Sequence, residues 1–421
     1  GNTDKSRERL VLSADNNGKL IIDGAVKEYD CNTIIVIKGG KYKSIIVRNL
    51  NGKTGCPIQI INDGLVEIVL GYQQNLSVSD VSHIEISGNG TASITHGFLF
   101  GNNNRDRAVI LTGDINHFSF QYATFQNLGN NAAIYYASDK IYNGNESSYS
   151  RDLKFRHLNA ENCNGLIQLT GGISGEEIKG LIKGLEISHL DVSNCPGPKN
   201  VVSIGMVEDY EVHDNTFSYI NTKNNEHNAM FFLVGNGKFF NNRITNHQGN
   251  AIRAWVVSIG NTPKEVEIFN NIVVGSRKYS AFETQSFTRF MIPQKTTYVN
   301  VKVYHNTCGQ LNLSKDWYGV VLDAYTLLGG SCEVFNNLAF DLPAQHPKSA
   351  FVSYMSMEVS HLDIRDNLYF QDANSVGFID EVSYKLSPVS KAVGAGIKNA
   401  LKVDIYGKNR NSNTPTIGAV E

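Results

Sequence analysis

The sequence predicts an all-β protein built as a solenoid of short strands. Three observations carry this: composition, a repeating strand-turn unit, and a repeated Asn at one relative position. Gly numbers 38 and Pro 9, and Asn is about one residue in nine. Chains rich in Asn, Gly, Val and Ile favour short strands joined by tight turns. The 421 residues carry 38 basic and 40 acidic side chains, a formal net charge of −2, which removes a chain-wide basic footprint for nucleic acid. Hydrophobic residues at 41% and charged ones at 19% indicate a globular chain. No apolar run approaches the roughly 18 residues of a membrane span.

The chain opens on Gly1 with no charged-then-apolar leader, so its cellular address has to be inferred from its class. Residues 1–20 read as a lead-in, 21–385 as the solenoid of about a dozen coils, and 386–421 as a C-terminal cap. The clearest copies of the unit are YEVHDNTFSYI, KFFNNRITN, VEIFNNIVV, VKVYHNTCG, CEVFNNLAF and LDIRDNLYF. Their second polar residues are Asn215, Asn242, Asn271, Asn306, Asn337 and Asn367, at spacings of 27, 29, 35, 31 and 30. Strands this short bury a core only when stacked, at about 4.8 Å per coil. A side-chain amide at each corner can then bond coil to coil, and Asn also tolerates a left-handed corner backbone.

A second strand follows each unit after a variable loop: NVVSIG, NAMFFLVG, NAIRAWVV, SAFETQS, GVVLDAY and SAFVSYM. Alternation places Met230, Ile252, Phe282, Val320 and Phe351 inside, and Phe231, Arg253, Glu283, Val321 and Val352 outside. Two residues on, Leu233, Trp255, Gln285, Asp323 and Tyr354 continue the outer face. The middle coils thus gather Arg253, Trp255, Glu283, Gln285 and Asp323 on one surface. The loops entering them add His227, Arg277, Lys278, Tyr279, Asp316, Trp317 and Tyr318. Exposed aromatic faces among hydrogen-bonding groups suit a sugar-binding cleft.

Six cysteines are present. Cys31 and Cys56 precede equivalent strands, and Cys163 and Cys195 end equivalent ones. Stacked neighbours could be disulfides or pairs of buried thiols, and both remain open. No C-x-x-C or Cys/His spacing suggests zinc.

In its coil pattern over roughly residues 20–385, the chain resembles the right-handed parallel β-helix family, the architecture of pectate lyases and other carbohydrate-active proteins. The handedness agrees with the preference of parallel crossovers. Its end resembles the tail of secreted bacterial β-helix proteins. LSPVSKAVGAG supplies Ser387, Pro388, Ala392, Ala395 and Gly396, and the last stretch supplies Asp404, Gly407, Arg410, Ile417, Gly418, Ala419 and Glu421. Lys391 and Val420 depart from that pattern, where an acidic and an aromatic residue are usual. The resemblance implies a tail that caps the last open coil, export from a bacterium to the medium, periplasm or cell surface, and a monomer acting on a polysaccharide.

Three function classes follow. A lyase acting on a uronate polymer needs a carboxylate-neutralising cation, a base and an acid. Arg253 suits the first, Lys278 or His227 the second, and Tyr279 the third. Relatives often use calcium, for which Glu283 and Asp323 are the carboxylates at hand, although no dense acidic motif marks a metal site. A glycoside hydrolase would use Glu283 and Asp323 as its pair, which an offset of two residues on consecutive coils places about 8 Å apart at Cα. A non-catalytic glycan-binding protein would use Trp255, Gln285, Arg277, Trp317, Tyr318 and Asp316 for contact alone. The lyase ranks first.

Overall fold

The computed structural model describes residues 7–69, 71, 74–103, 106–130, 132–197, 199–343, 349–353 and 359–421. Tyr354 lies outside the described residues. The chain divides into two compact units. Unit 1 comprises residues 1–172, 177–197 and 203–206; unit 2 comprises 173–176, 198–202 and 207–421.

Both units are right-handed parallel β-helices, as the repeat predicts. In unit 1 a single interior column runs rung by rung through Ile35, Ile60, Ile86, Phe120, Phe155 and Ile187. Each of these side chains is buried. Their strands are parallel, so each coil aligns its apolar residues with the same position of the next and one continuous core results. In unit 2 the corresponding columns include Phe239, Ile268, Val303 and Val334, and Ile244, Val273, Cys308 and Ala339. Helix is nearly absent. A single turn, Ala373–Val376, capped by Asp372 and ended by Gly377 at φ +79°, follows the last coil strand, Leu368–Phe370.

The Asn repeat is a hydrogen-bonded ladder. Nδ2 of each Asn donates to Oδ1 of the next: 215 to 242 at 2.9 Å, 242 to 271 at 3.0 Å, 271 to 306 at 2.9 Å, 306 to 337 at 2.9 Å and 337 to 367 at 3.0 Å. The backbone N–H of each donates to the same oxygen. Left-handed backbone, expected at these Asn residues, belongs instead to the residue before each. Asp214, Asn241, Asn270, His305, Asn336 and Asp366 have φ between +51° and +54°. The corner therefore divides its labour: one residue turns the chain, and its neighbour satisfies the buried polar groups that the turn exposes.

The tail packs against the last coil strand and along the corner column of unit 2. Arg410 donates to Asn270 Oδ1 at 2.7 Å and to the Gly418 carbonyl at 2.9 Å, and its NH1 stands 3.3 Å from Glu421. Asn336 donates to the Ile397 carbonyl, and Ile417, Ala419 and Val420 are buried against Leu338 and Phe340. Burial lowers the guanidinium of Arg410 to about 10. A side of the helix is thereby covered over several coils, and the polar turn residues find partners there.

The cysteines separate into the two alternatives. Cys31 and Cys56 form a disulfide, with Cα atoms 5.4 Å apart. Cys163 and Cys195 are buried thiols. The Cys163 N–H donates to the sulfur of Cys195 at 3.4 Å, and burial pushes the two thiols up to about 12 and about 11.

Asn306→Ala in the middle of the ladder would strip partners from Asn271, Asn337 and the Ile268 carbonyl, and should cost about 2–4 kcal/mol of stability. Asn367→Ala, at the half-buried end, should cost clearly less. Urea denaturation of both variants checks the order; equal losses would mean that the ladder does not act through burial.

Candidate functional site

The strands Asn250–Val256, Phe282–Gln285 and Leu322–Ala324 of unit 2 stack in register. Phe231, Ile252, Phe282, Leu322 and Val352 fill the interior column. The expected alignment slips on three coils. Phe231 rather than Met230 and Val352 rather than Phe351 are inside, each a slip of one, and Leu322 rather than Val320 pairs with Phe282, a slip of two. The slip of two leaves alternation unchanged, so the pattern of faces cannot reveal it. Its consequence is chemical. Arg253, Glu283 and Asp323 are direct neighbours on one rung column, so Glu283 and Asp323 are not offset by two residues.

Neither carboxylate is an open surface group. Glu283 is 0% exposed and Asp323 4%. Arg253 Nε donates to Glu283 Oε1 at 3.0 Å, and Arg253 NH1 donates to the His227 carbonyl at 2.8 Å. His227 Nε2 lies 2.9 Å from both Asn250 Oδ1 and Glu283 Oε2. The amide oxygen stands in hydrogen-bond geometry with it, and the carboxylate oxygen is its ion-pair partner. Burial alone would push Glu283 up; the bond from His227 and the charge of Arg253 outweigh it and hold the carboxyl below its usual range. Asp323 moves far the other way. Burial and the neighbouring charge of Glu283 raise it well above a normal carboxylate, and its Oδ2 has no hydrogen-bond partner. The two carboxyls are thus pushed apart, Glu283 towards its charged form and Asp323 towards its protonated form.

Asn250 sets the histidine tautomer. Its Nδ2 donates to the Ser280 carbonyl at 2.8 Å, which fixes the amide orientation and points Oδ1 at His227. With two acceptors facing Nε2, that nitrogen carries a proton, and in the neutral tautomer the lone pair lies on Nδ1. The ring stacks on Tyr279, with centroids 4.0 Å apart at 13°. Tyr279 occupies a φ of +77° and burial raises its phenol.

Other expected site residues take supporting positions. Lys278 Nζ is 3.4 Å from Asp316 Oδ2 and 5.2 Å from the Tyr279 ring centroid. Arg277 donates to the Asn224 carbonyl and to Asn225 Oδ1, tying the His227 loop to the next coil. Trp255 is not an open sugar platform. It packs edge-on to Phe232 and Phe287 at 4.7 and 4.6 Å, under the loop that carries Arg289. Gln285, half-buried, pairs with Trp255 in register. Trp317 lies 5.9 Å from Tyr279 and 6.1 Å from Tyr318, and extends the aromatic wall.

Two participants escaped the sequence reading. Asn250 opens its strand as one Asn among many, and nothing local marks it. Tyr325 lies one residue beyond its strand; burial, then the charges of Asp323 and Glu283, raise its phenol, which places it in the same electrostatic neighbourhood.

Calcium does not fit this cluster. The ion takes six to eight oxygens, whereas Glu283 is already matched by Arg253 and His227. Among the described residues no group of three or more His, Cys, Asp or Glu is placed to hold a metal ion.

No protein-family model matches the chain, and no curated protein matches its sequence. Solved structures are similar in fold. A pectate lyase shares 13% identity over 99% of this chain and 97% of its own, with a TM-score of 0.46. A family 6 polysaccharide lyase from Pseudopedobacter saltans shares 10% over 94% and 99%, at 0.43. An alginate lyase from Paenibacillus sp. str. FPU-7 shares 13% over 84% and 99%, at 0.42.

Asp323 gives a pH test. Its folded pKa lies above the unfolded value of about 3.9, so folding retains a proton that the unfolded chain releases. Its contribution to stability is therefore full below about pH 4 and declines as pH rises towards the folded value. Asp323→Asn, which mimics the protonated form, should melt closer to wild type at pH 4 and gain on it by pH 7. A difference in melting temperature that stays constant with pH would show that Asp323 is ionised in the fold.

Proposed function

We propose that unit 2 is a polysaccharide lyase site that cleaves a uronate-containing polymer by β-elimination. The observation that supports this most is the Glu283–His227–Asn250 arrangement beside Arg253. It supplies a histidine of defined tautomer next to a fixed guanidinium. Elimination makes three demands: neutralise the uronate carboxylate so that its α-proton becomes acidic, remove that proton, and protonate the departing oxygen.

Arg253 meets the first demand. Arg277 and Lys278 on the adjoining loop add further cations beside it. His227 meets the second through Nδ1, while buried Glu283 stabilises the imidazolium that forms. Lys278 is the weaker candidate for base, because an ammonium held near Asp316 has no lone pair to offer. Tyr279 meets the third. A phenol raised by burial stays protonated and can donate, and Tyr325 is placed for the same task. Calcium has no step here.

Hydrolysis by a carboxylate pair fits the geometry poorly. Glycosidases hold two accessible carboxyl groups about 5–9.5 Å apart across the scissile bond. Glu283 and Asp323 are buried and adjacent on one column. The Cys31–Cys56 disulfide suits an oxidising compartment and supports export. Among the described residues no helix is long and apolar enough to cross a membrane.

The assay follows ultraviolet absorbance of unsaturated uronate together with reducing ends, on pectate, alginate and glycosaminoglycan. Both signals should rise on one polymer. His227→Ala should then lose about 100-fold or more in kcat, and Lys278→Ala should stay within about tenfold of wild type. Reducing ends without the unsaturated product, or full turnover in His227→Ala, would overturn the reading.

A further inference from the structure

Unit 1 holds a groove of about 410 Å³, none of whose lining residues belongs to the Arg253 site. Its floor is made by outward positions on stacked strands. Glu85, Ser119 and Lys154 share one rung column, and Gln121 and Arg156 the column two residues on. Ser119 is the smallest of these, and its short side chain leaves a depression between longer neighbours.

The two walls are rigid for different reasons. On one side the imidazoles of His83 and His117 stack at 4.1 Å and 20°, both on left-handed corners at φ +54° and +47°. Ser82 Oγ and Thr54 Oγ1 engage the two nitrogens of His83, and Asp152 holds His117 Nδ1 at 2.8 Å. The adjoining wall is the tight turn of Lys53 and Thr54, which touches the first through Thr54 and His83. Lys53 and Cys56 exchange backbone hydrogen bonds, and the disulfide anchors that turn to Cys31.

Charges on the groove are unevenly matched. Glu85 accepts from Gln121 at 3.0 Å and Asp152 is taken by His117, so both acids have partners. Lys154 and Arg156 share the single carboxylate of Glu186, at 3.9 and 4.0 Å, and Arg156 Nε is buried without a hydrogen-bond partner. Lys53 projects from the exposed turn. Paired flat rings, fixed hydroxyls and under-matched cations describe a site for a ligand with an apolar face, several hydroxyls and a negative charge.

We propose that this groove binds an acidic sugar unit of an anionic glycan. The ring face rests on the His83–His117 pair, hydroxyls meet Thr54, Ser119 and Glu85, and the carboxylate or sulfate meets Lys154, Arg156 and Lys53. Single-stranded nucleic acid is disfavoured, because it needs a continuous basic track and here Glu85 and Asp152 interrupt it.

Calorimetric titration of the full chain tests this with tetragalacturonate, a chondroitin sulfate hexasaccharide, cellohexaose and a single-stranded DNA 12-mer. One or both acidic saccharides should bind, and which of them does so identifies carboxylate or sulfate as the recognised group. Lys154→Ala should weaken that binding by about tenfold, and Lys53→Ala/Lys154→Ala by more. Lys154→Arg should restore much of it, and Arg253→Ala, which removes only a unit 2 contact, should leave the Lys154-dependent binding in place; melting curves confirm that each variant folds. Equal affinity for cellohexaose, a preference for DNA, absence of binding to both acidic saccharides, or insensitivity to the double variant would each overturn the proposal. Loss of the binding in Arg253→Ala would also overturn it, by placing the ligand at the other site.

Discussion

In-register stacking of coils is the constraint on which everything else in this protein rests. A strand of four to six residues buries too little surface to hold itself together. Registered against an identical strand 4.8 Å away, it shares a core, and each new coil extends that core. Register is enforced at the corners. The Asn ladder bonds each turn to the next through side chain and backbone together, and a slipped coil would leave buried amide groups without partners. The aromatic and aliphatic columns then follow, because the same position of every coil faces inward.

Stacking also explains how this fold builds chemistry. Side chains far apart in sequence become neighbours at the coil spacing, and outward columns become rows of interacting groups. Arg253, Glu283 and Asp323 form such a row. Like charges on adjacent rungs of a dry site oppose each other, so Glu283 is drawn towards its charged form by Arg253 and Asp323 is pushed towards its protonated form. Buried carboxylate, tautomer-fixed imidazole and stacked phenol then form one unit, in which the acid acts through the histidine and need not touch a substrate. The groove on unit 1 uses the same logic with different residues. There, histidines occupy the corner positions, and a serine among long side chains opens the space.

Much of this was legible in the sequence. The spacing of Asn215 through Asn367 named the solenoid, and hydrogen-bonding capacity named the ladder. Which residue carries the left-handed turn was not legible, since Asn suits both tasks and the two lie side by side. Among the candidate site residues, Arg253, His227, Glu283 and Tyr279 do converge, because loops of one corner must share a face. Trp255 is half-buried. Exposure there depends on the loop at 287–290, whose path no alternation pattern encodes. The position of Asp323 was misread because the loop before it varies in length, so counting along the chain could not fix its rung.

Local chemistry and periodicity thus settled what sequence alone could settle: strand rather than helix, inside rather than outside, and a corner that repeats. Those properties depend on near neighbours and on the two-residue alternation of a strand. The tertiary structure decided which coil meets which rung, and with it the adjacency of Glu283 and Asp323, the tautomer of His227 and the choice of Cys31–Cys56 over Cys163–Cys195 as a disulfide. Each of those depends on distances of a few ångströms between residues some 20 to 40 positions apart, and such distances exist only once the coils have stacked.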